Sequence, residues 1–283
     1  MKYSVVIPAH NEQPYIGTLL QSLIHQTVLP HQVVVVNDHS TDDTQQIAES
    51  FTQNYPWIQV VHLISSEAHQ PGGKVIRAFN KGLEQLDADF DIIVKLDADL
   101  ELPKPYFETI IQHFTYDEQV GMAGGFAYIQ KNKDWVLENL TDKEHIRGAF
   151  KAYRKACFEQ IGGLQPAMGW DTADELKARF FGWKILTDAH LKIKHLKPTG
   201  ALYESKNAHK QGEAFYTLGY GFWLTLIASA KLAMLKKKPF LLFLYLKGYF
   251  AAVKHRLPLL VSSEQARFVQ KYRWKKIKEK IFK

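Results

Sequence analysis

With 283 residues, 46% of them hydrophobic and 13% aromatic, the chain has length for one large α/β domain plus an appendage, and its apolar content excludes wholesale disorder. A single cysteine, Cys157, excludes an intrachain disulfide framework and a cysteine-built zinc site. The net charge of +7 hides an asymmetry: residues 1–150 carry 10 Lys+Arg against 20 Asp+Glu, and residues 151–283 carry 26 against 9. Two halves of opposite sign imply two physical jobs. Apolar runs interleaved with the C-terminal positive charge favour an anionic membrane surface over nucleic acid as its partner. The opening Met1-Lys2-Tyr3 leads straight into an apolar strand pattern and shows no secretory signal, so catalysis on the cytoplasmic side is the expectation.

In chain order, Tyr3–Pro8 reads as a strand, and Ile16, Leu19, Leu20, Leu23 and Ile24 fall at the spacing of one helix face. Val33–Val36 is β-branched throughout, as in a strand buried on both faces. Thr41-Asp42-Asp43-Thr44 has the small polar residues and acids of a helix start. Trp57–Leu63 predicts a strand, Lys74–Leu86 a helix and Asp91–Leu96 a further strand. This alternation argues for a parallel sheet in an α/β layer, with ligands bound beyond the carboxyl ends of the strands.

Polar clusters sit at those ends. The first strand runs into Pro8-Ala9-His10-Asn11-Glu12, the second into Asn37-Asp38-His39-Ser40-Thr41. A carboxylate there can accept hydrogen bonds from a ribose or base edge; alternatively, Asp38 and Thr41 cap the following helix. Gln70-Pro71-Gly72-Gly73-Lys74, with Arg77 after it, offers close backbone approach and a basic helix start to an anion. In Lys95-Leu96-Asp97-Ala98-Asp99 the two aspartates, two apart on an extended segment, point the same way. Magnesium or manganese, sharing a diphosphate, would relieve their repulsion.

The segments VVIPAHNE (5–12), VNDHSTDDT (36–44), GGKVIRAFNKG (72–82) and DADL (97–100), the last a DXD motif, resemble the family 2 glycosyltransferases of the GT-A fold, in that family's order and spacing over about residues 3–200. The resemblance implies a Rossmann-like α/β catalytic domain over residues 1–204, divided near residue 100 into a nucleotide-sugar half and an acceptor half. Residues 205–283 form a C-terminal helical, membrane-associating extension. It implies that Pro8, Ala9, Glu12 and Asp38 hold the nucleoside of a nucleotide sugar (a uridine diphosphate sugar by preference), with Lys74 or Arg77 nearby. Asp97 would contact the ribose side, and Asp99 would bind Mg2+ or Mn2+ through the diphosphate, with Asp97 and His195 as further ligands. It also implies an inverting transfer to a glycan or lipid-linked acceptor in cell-surface glycan synthesis. A non-catalytic sugar-nucleotide binder of the same fold is the alternative.

One stretch departs from the family pattern. Where a Glu-Asp pair is expected, the chain has Gly169-Trp170-Asp171-Thr172-Ala173-Asp174-Glu175-Leu176, and Ala173 falls at the aspartate's place. A one-residue shift supplies Asp174 as the catalytic base. Asp171 and Glu175 are substitutes, since positions i, i+3 and i+4 share a helix face; acids complementing the helix dipole are the plainer alternative. Gly162-Gly163-Leu164 and Trp170 look like the acceptor-side loop, and Lys206, His209 and Lys210 could cover the diphosphate.

Beyond residue 205, Phe215–Leu235 is a 21-residue run with one charge, Lys231, and is long enough to span a bilayer. Gly219 and Gly221 inside it, and the shorter run Phe240–Val253 with Lys247, leave three readings open: a hairpin, two interfacial helices, or a buried helical pair. Trp274, Ile277 and Ile281, amid lysines, suit a helix lying on anionic lipid. A peripheral or monotopic enzyme at the cytoplasmic face of the cell membrane is expected. Gln270-Lys271-Tyr272-Arg273-Trp274 matches the QxxRW motif of processive synthases but lies far beyond the candidate base, and reads as coincidence.

Overall fold

The computed structural model describes residues 1–64, 72–138, 143–197 and 208–281, with Ile281 described by its backbone only. Gln70, Pro71 and Lys206 lie outside the described residues, as does the Ile281 side chain. The chain divides into two compact units, Met1–Pro166 with Phe181–Pro198, and Ala167–Phe180 with Thr199–Lys283.

The first unit is built on a sheet. β1 (Tyr3–Ala9), β2 (Gln32–Asp38), β3 (Ile58–Leu63) and β4 (Ile92–Leu96) pair in parallel in the order β3-β2-β1-β4. Every residue of β1 and β4 is buried, including Ser4 and Lys95, as in strands covered on both faces. The helices α1 (Ile16–Ile24), α2 (Thr44–Thr52) and α3 (Gly73–Leu83) connect them. α1 buries Ile16, Leu19, Leu20 and Leu23, the face its spacing predicts. α3 comes so close to the sheet that a Cβ on Gly82 would lie 2.5 Å from Val6 Cγ1 and 2.7 Å from Val36 Cγ2, so only glycine fits there.

Past β4, beyond the strands whose alternation predicted a parallel sheet, the sheet becomes mixed. β8 (Phe150–Arg154) runs antiparallel to β4, and β6 (Val120–Lys131) pairs antiparallel with β8 and with β7 (Asp134–Leu137). β9 (Lys184–His195) lies parallel to β6, and the two-residue β5 (Leu100–Glu101) closes the order against it. α4 (Tyr106–Tyr116) and α5 (Lys155–Gln160) complete the unit. The strand order reverses at β1, between β2 and β4, and a crevice beyond the strand ends is expected at such a switch point.

The second unit is helical: α6 (Trp170–Phe180), α7 (Ala208–Thr217), α8 (Gly221–Leu235), α9 (Leu241–Lys254) and α10 (Ser263–Ile281). Ala173 and Leu176 of α6 pack with Phe215, Leu218, Tyr220, Leu224 and Val269. That apolar contact is why α6 groups with the C-terminal helices rather than with residues 1–166, a different partition from a boundary near residue 204. The apolar run 215–235 is not one helix. Gly219 (φ 74°), between α7 and α8, and Gly221 (φ 69°), the first residue of α8, adopt the left-handed conformation and break it. Among the described residues no helix is long and apolar enough to cross a membrane. α10 turns Val269 and Ile277 toward the unit's own core, and Gln270 Nε2 donates to Gly219 O at 2.9 Å. Arg273 lies 5.4 Å from the Tyr220 ring centroid, so Gln270 and Arg273 of the QxxRW match serve packing within this unit.

Candidate active site

The loops after β1 and β2 are laced together by short polar side chains. Asn11 and His39 both take left-handed φ of 54°, a conformation Asn and His tolerate better than most residues. Asn11 N–H donates to Ser40 Oγ (3.0 Å), Thr41 N–H to Asn11 Oδ1 (2.8 Å), and Glu12 N–H to Thr44 Oγ1 (2.8 Å). His10 Nδ1 lies 2.6 Å from Asp38 O. Pro8, Ala9 and Asp38 are buried at these strand ends, and Glu12 is half-buried. Asp43 rather than Asp38 or Thr41 is the N-cap of α2, and Asp42 Oδ1 accepts from Thr44 N–H at 3.0 Å. The simple capping alternative for Asp38 and Thr41 therefore does not describe this loop.

The aspartate pair is divided between two different partners. Asp97 accepts an ion pair from Lys95, whose side chain is only 1% exposed, two residues back on the same face of β4. Asp99 is positioned by a different element: β5 pairs with the end of β9, Leu100 opposite His195, and Leu196 N–H donates to Asp99 O at 2.8 Å. His195 Nε2 consequently lies 3.2 Å from Asp99 Oδ2, with both side chains buried. Behind the imidazole, His195 Nδ1 stands 4.0 Å from Glu138 Oε2, and Glu138 is ion-paired to Arg147. Lys197 Nζ, two residues beyond His195, reaches Glu12 Oε1 at 2.7 Å.

Four buried polar atoms here, Glu12 Oε2, Asn37 Oδ1, Asp99 Oδ1 and His195 Nδ1, have no hydrogen-bond partner among the described residues. Such atoms cost free energy unless something else satisfies them. The charge balance points the same way. Burial raises the Glu12 carboxyl above its ordinary range against the pull of Lys197, and the Asp99 and Asp97 charges raise it further. Burial works against the Lys197 ammonium, but its hydrogen bond to Glu12 and the surrounding carboxylates outweigh this and raise its pKa. Negative charge is in excess here, the condition a cation relieves.

Among the described residues no group of three His, Cys, Asp or Glu could hold a metal ion. The expected trio Asp97, Asp99 and His195 thus does not form a cage by itself, and Lys95 engages the Asp97 oxygen. What remains is a carboxylate with one unpartnered oxygen beside an imidazole. That donor set fits Mg2+ or Mn2+ when a diphosphate and water supply the other oxygens.

Gly72 (φ 71°) caps α3 in the left-handed conformation, and Lys74 and Arg77 lie half-buried in its first turns. Gly162 and Gly163 also have positive φ, as turn glycines do. In the second unit, Trp170, Asp174 and Glu175 are buried on α6 and Asp171 is half-buried; Glu175 N–H donates to Asp174 Oδ1 at 2.6 Å. Lys177 is buried near Asp174: burial lowers its pKa, and the Asp174 charge opposes that. His209 and Lys210 face Glu213 within α7 at 3.9 and 3.1 Å. The structure brings Glu12, Asp97, Asp99 and His195 into one charged cluster. Lys95, Glu138, Arg147 and Lys197 escaped the sequence reading as site residues: Glu138 and Lys197 meet His195 and Glu12 from far along the chain, Arg147 acts through Glu138, and Lys95 lies inside a buried strand.

The family model described as glycosyl transferase family 2 matches residues 4–169. An Escherichia coli protein described as uncharacterized glycosyltransferase YibD is 30% identical over 136 residues, covering 48% of this chain and 35% of its own length. The chain spans about half the length, or less, of most curated relatives it matches. Among solved structures, the mannosyltransferase PcManGT of Pyrobaculum calidifontis, in complex with GDP-Man and Mn2+, superposes with a TM-score of 0.61 at 17% identity, covering 95% of this chain and 78% of that one. S. aureus TarS 1–349 in complex with UDP-GlcNAc gives 0.58 at 17% identity, covering 82% and 71%. At these identities the likeness is one of fold.

Proposed function

The chain belongs to the family 2 glycosyltransferases and has their GT-A fold, and we propose that it transfers a sugar from a nucleoside-diphosphate sugar, a uridine diphosphate sugar by preference, to an acceptor hydroxyl with inversion. The observation that carries this reading is the buried Asp99–His195 pair, with an unpartnered carboxylate oxygen, at the carboxyl end of the sheet. Asp99 and His195 would hold Mg2+ or Mn2+, which when bound neutralises the charge that grows on the departing diphosphate. Glu138, itself ion-paired to Arg147, stands 4.0 Å behind the imidazole, and would orient it by a hydrogen bond on closer approach, as carboxylates behind metal-binding histidines do.

Asp97, fixed by Lys95, is assigned to the ribose side of the donor. Pro8, Ala9, Glu12 and Asp38 are assigned to the nucleoside, and Lys74 and Arg77 to neighbouring anionic groups. Asp174 is assigned the acceptor proton, with Asp171 and Glu175 as the other carboxylates on the same helix. The acceptor we assign is a glycan or lipid-linked sugar at the cytoplasmic face of a membrane. Calorimetric titration with nucleoside diphosphates and nucleotide sugars, with and without Mn2+, tests the donor reading. Metal-dependent binding of one nucleotide that is lost in Asp99→Ala is expected; absence of any nucleotide binding contradicts it.

A further inference from the structure

Helices α8 and α9 carry an exposed apolar face that the fold does not cover. On α8, Trp223 (67% exposed), Ile227 and Met234 (77%) recur at i, i+4 and i+11, with Lys231 on the same stripe. On α9, Phe243 (74%), Lys247, Phe250 and Lys254 follow at i, i+4, i+7 and i+11. The two stripes adjoin: the Phe222 ring, at the start of α8, lies 5.8 Å from Phe250 near the end of α9. At the opposite end, Leu235 and Phe240 flank the turn Lys236-Lys237-Lys238-Pro239, both exposed. The inner faces are committed to packing, with Ala233, Leu241 and Tyr245 in one buried cluster. Gly212 and Gly248 admit no Cβ where α7 crosses α9, so the pair is rigidly backed.

The charge along these two helices and their turn has one sign. From Ala214 to Ser263 there is no aspartate or glutamate, against seven Lys and Arg. Aromatic and aliphatic side chains interleaved with lysines, on helices too short to cross a bilayer, are the pattern of elements that lie in the lipid interface. A second copy of the chain would set this positive face against an identical one, whereas an anionic bilayer complements it.

We propose that the exposed face of α8 and α9 docks on an anionic lipid surface, with Trp223, Met234, Phe243 and Phe250 entering the headgroup boundary and the lysines meeting lipid phosphates. Of the readings the sequence left open for the two apolar runs, this takes the two interfacial helices, and it assigns no lipid contact to Trp274 of α10. Ile277 of α10 packs inward, and Trp274, 38% exposed, is less open than Trp223 or Phe243. The inference goes beyond the transfer reaction and does not depend on it.

The test is co-sedimentation of the full chain with phosphatidylcholine vesicles, with and without phosphatidylglycerol. Binding that needs phosphatidylglycerol is expected. Trp223→Ser with Phe243→Ser should weaken it on the order of tenfold or more. Replacing Lys236, Lys237 and Lys238 by glutamine should cost about fivefold for each lysine near the surface. Trp274→Ser should leave binding unchanged. Donor hydrolysis in solution should persist in all of these variants, so failure of the docking surface is distinguishable from failure of the transfer reading. Equal partitioning of wild type and variants would overturn the proposal, as would loss on Trp274→Ser alone. A concentration-dependent dimer dissolved by Trp223→Ser with Phe243→Ser, without vesicle binding, would assign the face to a second copy instead.

Discussion

Asp99→Asn is the perturbation that most sharply separates a metal site from a structural carboxylate. In the metal-free protein Asp99 is buried with one oxygen unpartnered, near the negative charge of Asp97 and Glu12. Exchange for the isosteric amide removes that charge and leaves a group that can still meet His195, 3.2 Å away. The amide still leaves one polar atom unpartnered, but relief of the like-charge repulsion is worth about 1 kcal/mol, the low end of the Coulomb scale for close charges. For a folding unit of this size that raises the metal-free Tm by roughly 2–4 °C. With metal the order reverses. Ligand at a hundred times its Kd stabilises the wild type by about 2.7 kcal/mol, or roughly 5–10 °C. The variant, short of its anionic ligand, should gain little. Thermal unfolding followed by circular dichroism, with and without Mn2+ and a nucleoside diphosphate, reads both signs. A variant less stable without metal, and stabilised by Mn2+ as much as the wild type, would refute the assignment of Asp99.

The other carboxylates give distinct expectations. Asp174→Asn should lower kcat by about 10²–10⁴-fold while donor affinity holds, as loss of a base does; full activity in steady-state assays would move the role to Asp171 or Glu175. Lys95→Met frees Asp97 from its buried partner and should weaken nucleoside diphosphate binding by about tenfold in calorimetry; unchanged affinity would make the ion pair purely structural. Asp188 accepts from His190 N–H at 2.8 Å and pairs with His113 Nε2 at 2.8 Å. Burial works to raise its pKa, but these bonds outweigh that and lower it below 3.8. A depressed acid stabilises the fold above its unfolded pKa and loses that contribution as pH falls through the folded value. Asp188→Asn should therefore cost about 1 kcal/mol at neutral pH and progressively less below pH about 3.8 in urea unfolding. A cost that does not shrink in acid would contradict the ionised pairing.

The parallel half of the sheet was legible because its signals are local. Val33–Val36 is apolar on both faces and Ile16 to Ile24 keeps the helical spacing, so β2 and α1 fall where periodicity places them. The antiparallel half depends on pairings distant in sequence: β9 meets β6 some sixty residues earlier, and the two-residue β5 has no pattern of its own. The same non-locality hid Glu138 and Lys197, which join the site only because those pairings bring their strands together. In the helical unit, Gly219 and Gly221 were visible as interruptions of the apolar run. Which helix faces remained uncovered was not visible, since α8 has no strong polar side, and burial of its Leu224 and Ala233 face is decided by α7, α9 and α10.

The central claim is that this chain releases a nucleoside diphosphate from a nucleotide sugar at the Asp99–His195 site. The direct measurement is turnover of a panel of nucleotide sugars with Mn2+, reading released nucleoside diphosphate, with Asp99→Ala alongside. Turnover of one donor that vanishes in the variant is the predicted result. Turnover undiminished in Asp99→Ala, or no donor either bound or turned over by the wild type, would contradict it.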